Sequence, residues 1–418
     1  MPDARMPADA AARLPPDVRR LVALRAARSL GQGAQVAAFS LYLHVLGWSA
    51  AAIGATLSAA LLVGAALTLA VGPSSDRIGG RRRFLLAYEG IQAGAALLAL
   101  ATTQPALLAL AAVLGGFGRG ANGSAGPFGP LEQAWLALRL PPAQRGRVFS
   151  INTAVGFAGM AVGAAATALI GLAATPPWQQ MAYRGIFLLT LLGALAGLAL
   201  LAGLRELPPA TSGPAGGAAP SPDPARRAAE NRDLRRLVAV NALNGLGIGM
   251  VGPLIAYWFL LRFGHGPDRI GPALAASFVL AAAGALLAGR LAQRHGLVRV
   301  VVGMRLAGLV LLLAIPLMPG FALAAACYAL RAGMNQGTAG VRQAVVAGLT
   351  GDDRRGFAAS LQNVSVQIPR ALGPVLAGLM LHAGWLTAPF LLAALCQAGY
   401  LLLYARFFGG GDDRPGPA

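Results

Sequence analysis

The sequence predicts an all-α polytopic membrane protein, with twelve transmembrane helices arranged as two pseudo-symmetric bundles of six. Three observations carry that prediction. Hydrophobic residues make up 56% of the 418 residues and charged residues 12%, about half the charged share of an ordinary soluble domain. Apolar runs long enough to cross hydrocarbon alternate with short arginine-bearing turns, and no period-two alternation persists to indicate an outer-membrane barrel. The second half of the chain also restates the first. Gly289, Arg294 and Gly296 repeat Gly72, Arg77 and Gly79 at one constant offset, and Ile270-Gly271 repeats Ile53-Gly54 at the same offset. Internal repeats of this kind are how many membrane transport folds are built.

The first bundle is organised around the stretch Gly72 to Arg83. It lies between two apolar runs and carries Asp76, Arg77, Arg81, Arg82 and Arg83. Hydrocarbon excludes such a segment, so the chain must leave the membrane there, turn on its glycines and re-enter. The helix before it spans about 50–71 and the helix before that about 18–46, opening with Arg19, Arg20, Arg25 and Arg28. A third helix covers 84–101 and ends in the uncharged turn Thr102-Thr103-Gln104-Pro105. The fourth is read as one continuous helix over 106–138, rich in glycine between Gly115 and Gly129. After the basic turn 139–147, a fifth helix covers 148–173 and a sixth ends near Leu204.

Composition then changes. Residues 205–236 are rich in Pro, Gly, Ala, Arg and Asp, which reads as a solvated linker. The second set follows at about 237–261, 270–291, 298–318, 322–349, 357–381 and 386–407. The expected organisation is therefore a tail at 1–17, a bundle at 18–204, the linker at 205–236, a second bundle at 237–408 and a tail at 409–418. Arginines collect in the turns after the second, fourth, eighth and tenth helices, as in Arg77, Arg139, Arg290 and Arg354. By the positive-inside tendency these turns, the linker and both termini are cytoplasmic, in an inner (plasma) membrane.

The formal net charge of +19 is carried by arginine alone. In this chain it reports topology rather than a nucleic-acid partner. Cys327 and Cys396 lie in apolar runs without metal-ligand spacing and read as buried thiols. Residues 1–16 lack the apolar core of a signal peptide and read as a tail. No constellation for nucleophilic or metal chemistry occurs, so no enzyme and no cofactor is expected. The expected partners are a small-molecule substrate, protons and the lipid bilayer, with the chain acting as a monomer.

Gly72-x-x-x-Asp76-Arg77-x-Gly79 after the second helix, with a six-plus-six division, resembles the major facilitator superfamily, whose cytoplasmic signature is G-x-x-x-D-R-x-G-R-R. Arg119-Gly120-Ala121-Asn122-Gly123 is similar to the R-x-x-Q-G motif of proton-linked members. The resemblance covers about 20–407 and is strongest to the drug/proton antiporter branch with twelve helices. Several positions depart from the pattern. Gly80 stands where the family has arginine, Leu138 where it has an acid, and the second copy has Gln293 in place of Asp76. The fifth helix has Gly156, Gly159 and Gly163 without the antiporter proline, whereas the eleventh has Gly373-Pro374 and Gly378.

Ionisable residues within spans are costly unless paired or hydrated, so each is a site candidate. Arg25, Arg28 and Arg305 lie near the inner face and are expected to snorkel there, and Glu89 to pair with the basic turn. Arg119, midway along the fourth helix, is expected to face the central cavity. Glu132-Gln133-Ala134 aligns with Arg342-Gln343-Ala344 in the second half, which suggests an ion pair between halves with Glu132 as proton site. Asp76, Arg77 and Arg81 form the gating turn, with the carboxylate at a helix N-terminus and the arginines on groups of the opposite half. A purely topogenic turn is the alternative.

The substrate cavity is expected to draw Gln32, Gln35, Asn122, Gln133 and Trp135 from the first half. From the second half it draws Asn241, Asn244, Tyr257, Arg331 and Asn335, together with Gln336, Gln343 and Arg370. The resemblance implies alternating-access, proton-coupled efflux of small amphipathic molecules. The arginine excess in the spans implies uptake or exchange of an organic anion instead. A sensor or scaffold that keeps a transporter fold is the reading of another class.

Overall fold

The computed structural model describes residues 14–78, 80–120, 126–127, 129–172, 178–204, 206, 224–347 and 355–408. Among the described residues the regular secondary structure is helical. The first half contains α1 (Pro16–Val45), α2 (Ala50–Ile78), α3 (Arg81–Ala101), α4 (Pro105–Gly115), α5 (Gly129–Leu138), α6 (Pro142–Ala166) and α7 (Trp178–Ala202). The second contains α8 (Pro224–Val251), α9 (Ile255–Phe263), α10 (Pro267–His295), α11 (Leu297–Ala314), α12 (Phe321–Gly337), α13 (Ala339–Ala347), α14 (Arg355–His382) and α15 (Ala388–Phe408). Among the described residues, nine helical segments are long and apolar enough to cross a membrane. Polar residues along α1, such as Gln32, Gln35 and His44, and the interruptions of α4/α5 and α12/α13 account for the other three expected spans.

Three expectations are corrected. The fourth helix of each half is not continuous. The first stops at Gly115, and Gly116, Gly118, Gly120 and Gly126 take positive φ before α5 begins. Only glycine adopts that backbone without strain, so the glycine-rich stretch unwinds the helix instead of extending it. In the second half the interruption falls at Thr338, whose hydroxyl donates to the Asn335 carbonyl at 2.9 Å. Non-helical backbone at membrane depth is tolerated only inside protein or beside a cavity, so both interruptions must face the interior.

The linker is also shorter than expected. Helix α8 begins at Pro224, and its Leu234 is already buried. Finally, the turn after α2 is very tight. Helix α2 runs on to Ile78, and Gly80, at φ 79°, starts α3 directly. Arg82 on that first turn donates to the carbonyls of Leu201 and Ala202 at 2.9 and 2.7 Å. It thus caps the C-terminus of α7 in its own half, where the helix dipole favours a cation, rather than reaching the opposite half.

The halves meet along α2 against α14 and α6 against α10. Small residues allow close backbone approach. Gly54 packs on the carbonyl of Pro374, and a Cβ at Gly378 would lie 2.6 Å from the Ala50 carbonyl oxygen. Pro374 interrupts the hydrogen-bond ladder of α14, and Val375 N–H donates across the seam to Ser58 Oγ at 2.8 Å.

Buried apolar side chains are distributed unevenly between the two ends of the molecule. At the end bearing the 47–49, 264–266 and 383–387 turns, one core runs through both halves, from Phe39, Leu41 and Ile53 to Trp258, Phe259 and Phe390. At the other end each half has its own core, around Leu21, Tyr88 and Trp135 in one and Val240, Val301 and Tyr400 in the other. The molecule is therefore sealed at one end and divided at the other.

Candidate functional site in the central clefts

On α1, Arg25, Arg28, Gln32 and Gln35 follow helical spacing, so they share a face. The adjacent faces are fixed by packing: Gly31 abuts Thr190 on α7, and Gly33 abuts the Met160 backbone on α6. The shared face therefore turns toward α3 and α5. Arg28 Nε donates to Glu89 Oε1 at 2.9 Å, its Nη2 also binds that oxygen, and its Nη1 donates to Glu132 Oε2 at 3.1 Å. The same guanidinium lies 5.2 Å from the centroid of the Tyr88 ring, a favourable cation–π distance. Gln92 donates to the Tyr88 hydroxyl at 2.7 Å.

This cluster is closed off from water. Relative exposure is 0% for Glu89, 1% for Glu132 and 3% for Arg25. Charges at such depth persist because they are paired. Even so, Glu89 Oε2 and Glu132 Oε1 are buried without a hydrogen-bond donor.

Four expectations change as a result. Arg25 and Arg28 do not snorkel: both are buried, and acids from α3 and α5 meet Arg28 inside the bundle. Glu89 pairs with Arg28 rather than with the basic turn. Glu132 pairs within its own half rather than with Arg342. Arg305 is 1% exposed, donates to Asn244 Oδ1 at 2.8 Å and lies 5.2 Å over the Tyr400 ring, so it too is held inside.

Beside the Arg28 cluster is a cleft lined by Gln32, Gln35, Gln92, Phe117, Arg119 and Thr190 among others. Arg119 stands at the interruption between α4 and α5, not midway along a helix. Its Nε donates to the Gly116 carbonyl at 3.0 Å and its Nη2 to that of Gly115 at 3.3 Å, so it caps the broken end of α4.

A second cleft lies in the other half and is lined by Arg305, Arg331, Arg342 and Arg370 with Tyr328, Asn335 and Gln336. Among the described residues none of these four arginines forms an ion pair. Arg370 is 3% exposed, with Nε and Nη2 lacking an acceptor, and Arg331 Nε and Arg342 Nε also lack one. A third, smaller cleft is lined by Gly64, Thr68 and Gln367 with Arg119 and Arg370. Arg119 thus borders the first cleft and the third, and Arg370 the second and the third.

Other expected cavity residues lie elsewhere. Asn241 donates to Ser365 Oγ at 3.0 Å and ties α8 to α14, and Asn244 serves Arg305. Trp135 is packed in the core of the first half. Tyr257 stacks near His44, with centroids 5.3 Å apart, at the sealed end. Gln133 and Gln343 line none of the three clefts, and Arg81 begins α3 at the divided end. Asn122 and the side chains of Asp76 and Arg77 lie outside the described residues. Tyr88 and Gln92 line the first cleft although polarity and spacing do not single them out for a site, and Glu89 and Arg305, expected to pair with the basic turn and to snorkel, line the clefts as well. The signal that points to Tyr88, Glu89 and Gln92 is the arginine–amide face of α1, which has no reason to exist on a lipid-facing surface.

The family model described as the Major Facilitator Superfamily matches residues 21–238 and 237–417. Among solved structures, the nucleoside transporter NupG is similar, with 16% identity, a TM-score of 0.69 and coverage of 94% of this chain and 98% of that one. A bacterial homologue of the human lysosomal transporter Spinster gives 17% identity, a TM-score of 0.72 and coverage of 97% and 100%. A D-xylose–proton symporter gives 16% identity, a TM-score of 0.68 and coverage of 93% and 97%. At these identities the likeness is one of fold. No curated protein matches the sequence.

Proposed function

This chain belongs to the major facilitator superfamily and is a membrane transporter, and from that premise we propose that it carries an organic anion by alternating access. The observation that carries the proposal is the second-half cleft, where Arg305, Arg331, Arg342 and Arg370 converge without a carboxylate among the described residues. Cations in a dry cavity repel one another and lose hydration. Closing the halves over an empty cleft is therefore costly, and closing them over a bound anion is not. The substrate supplies the missing counter-charge, and the loaded carrier turns over while the empty one stalls. That logic gives exchange of anions rather than leak.

The distribution of the cores supports the same cycle. With the arginine turns in the cytoplasm of an inner membrane, the sealed end faces outward and the divided end inward. The halves rock about the seams α2/α14 and α6/α10, which is the expected motion for repeat-built carriers. Proteoliposomes loaded with one organic anion and given a second outside test the proposal. Efflux of the first that depends on the second supports it. Flux of cationic or neutral amphipathic compounds without anion exchange would overturn it.

A second reading is proton-coupled efflux of small amphipathic molecules. It is favoured by the free oxygens of Glu89 and Glu132, which offer a place for a proton beside Arg28. Proton movement that follows added compound in wild type and disappears in Glu132→Gln would select it.

A further inference from the structure

The two main clefts differ in chemistry, and resting on the anion reading above, we infer that the substrate is a polyhydroxylated organic anion held at both ends. Its acidic group sits among the arginines of the second half, and its hydroxyls meet the amides of the first. Charge along the first cleft is already balanced, because Arg28 is bound between Glu89 and Glu132. The rest of that wall is neutral and hydrogen-bonding, with Gln32, Gln35, Gln92 and Thr190.

Gln35 is the most informative of them. It is 3% exposed and donates to Thr190 Oγ1 at 3.2 Å, and its Oε1 is buried with no donor. Thr190 in turn donates to the Ile186 carbonyl at 2.9 Å, so its proton is committed elsewhere. A buried amide oxygen without a donor is a standing cost that a ligand O–H removes. An amide offers both a donor and an acceptor, which suits a hydroxyl. The Phe117 ring on the same wall suits the C–H face of a hydroxylated chain or ring.

At the other end, Arg370 and Arg331 carry N–H groups without acceptors, the complement of a carboxylate or phosphate. The third cleft lies between the two ends in its lining, sharing Arg119 with the amide end and Arg370 with the arginine end. A plain fatty or aromatic acid would satisfy only the arginine end. A neutral sugar would satisfy only the amide end.

Calorimetric titration of the purified full-length protein tests this with four probes: gluconate, its longer galactosyl derivative lactobionate, hexanoate and glucose. Expected is that at least one hydroxylated anion binds about tenfold or more tighter than hexanoate, the gain of one or two added hydrogen bonds. Gln35→Leu should bring that anion to the hexanoate level and leave hexanoate unchanged. Thr190→Val, nearly isosteric, provides the same readout if Gln35→Leu fails to fold. Equal binding of hexanoate and both hydroxylated anions would overturn the inference and leave anion transport standing. So would an equal loss of all anions in both variants. Binding of none of the anions would remove the transport reading itself, and this inference with it.

Discussion

Arg28 Nη1 lies 3.1 Å from Glu132 Oε2, while the opposite edge of the same guanidinium holds Glu89. One side chain of α1 therefore ties α3 and α5 together through two buried acids. Removing the shared cation strands both carboxylates, whereas neutralising one acid leaves the other pair intact. Arg28→Gln is expected to destabilise the protein by about 3–5 kcal/mol, the usual cost of breaking a buried pair, and Glu132→Gln by clearly less. Unfolding in detergent, followed by tryptophan fluorescence, measures both. Equal losses would mean that the cluster does not work as a unit.

Arg370 should show the opposite balance. It is buried with two unsatisfied N–H groups and no acid partner among the described residues. Substitution with Gln removes an uncompensated cation, so apparent stability is expected to hold or rise. Anion binding should fall by about tenfold or more through loss of a charge-assisted hydrogen bond. Melting and titration on the same sample are needed, and a variant that is unstable yet binds normally would contradict this account.

Gly54 bears on the conformational cycle. It touches the Pro374 carbonyl across the seam, where no side chain fits. Gly54→Leu is expected to hold the sealed end apart. Leu57, 2% exposed in the sealed state, provides the reporter. In a background with Cys327 and Cys396 replaced by Ala, Leu57→Cys should resist maleimide when Gly54 is present and label when it is Leu. Protection in both cases would place the moving contact elsewhere.

Asn244 accepts from Arg305 Nη1 at 2.8 Å in a fully buried setting. Asn244→Leu should cost about 1.5–3 kcal/mol, the range for a hydrogen bond to a charged group. Asn244→Asp should recover or exceed wild-type stability by giving Arg305 a counter-charge. Thermal unfolding of the three proteins in parallel decides the matter, and a stable Asn244→Leu would show that the Tyr400 ring and the bond from Arg305 Nε to the Thr338 hydroxyl at 3.4 Å suffice to hold Arg305.

Much of the fold is legible in the amino-acid sequence. Runs of apolar residues and arginine-bearing turns are local signals, because each span must meet the cost of entering hydrocarbon by itself. The offset that relates Gly72 to Gly289 is likewise visible in one dimension. The two interrupted helices are not, although Gly116, Gly118 and Gly120 stand in plain view: hydropathy sees an apolar run and is blind to the sign of φ. The site is half legible. Polarity at depth points to Gln35, Arg119, Arg331 and Arg370, whereas Trp135, Gln133 and Gln343 carry the same kind of signal and line none of the three clefts.

By itself, then, the sequence determined that this chain is a two-bundle helical membrane protein with an excess of arginine in its spans. Which arginines are neutralised was decided only by the tertiary structure. Position in the chain sends both Arg28 and Arg305 toward the inner surface, yet one meets two acids and the other an amide. Pairing depends on the rotation and tilt of whole helices, and those are set by contacts such as Gly33 on Met160 and a Cβ position at Gly193 only 2.6 Å from the Ala27 carbonyl oxygen. Such contacts join residues far apart in the chain, so the balance of charge in the clefts exists only once the helices have packed.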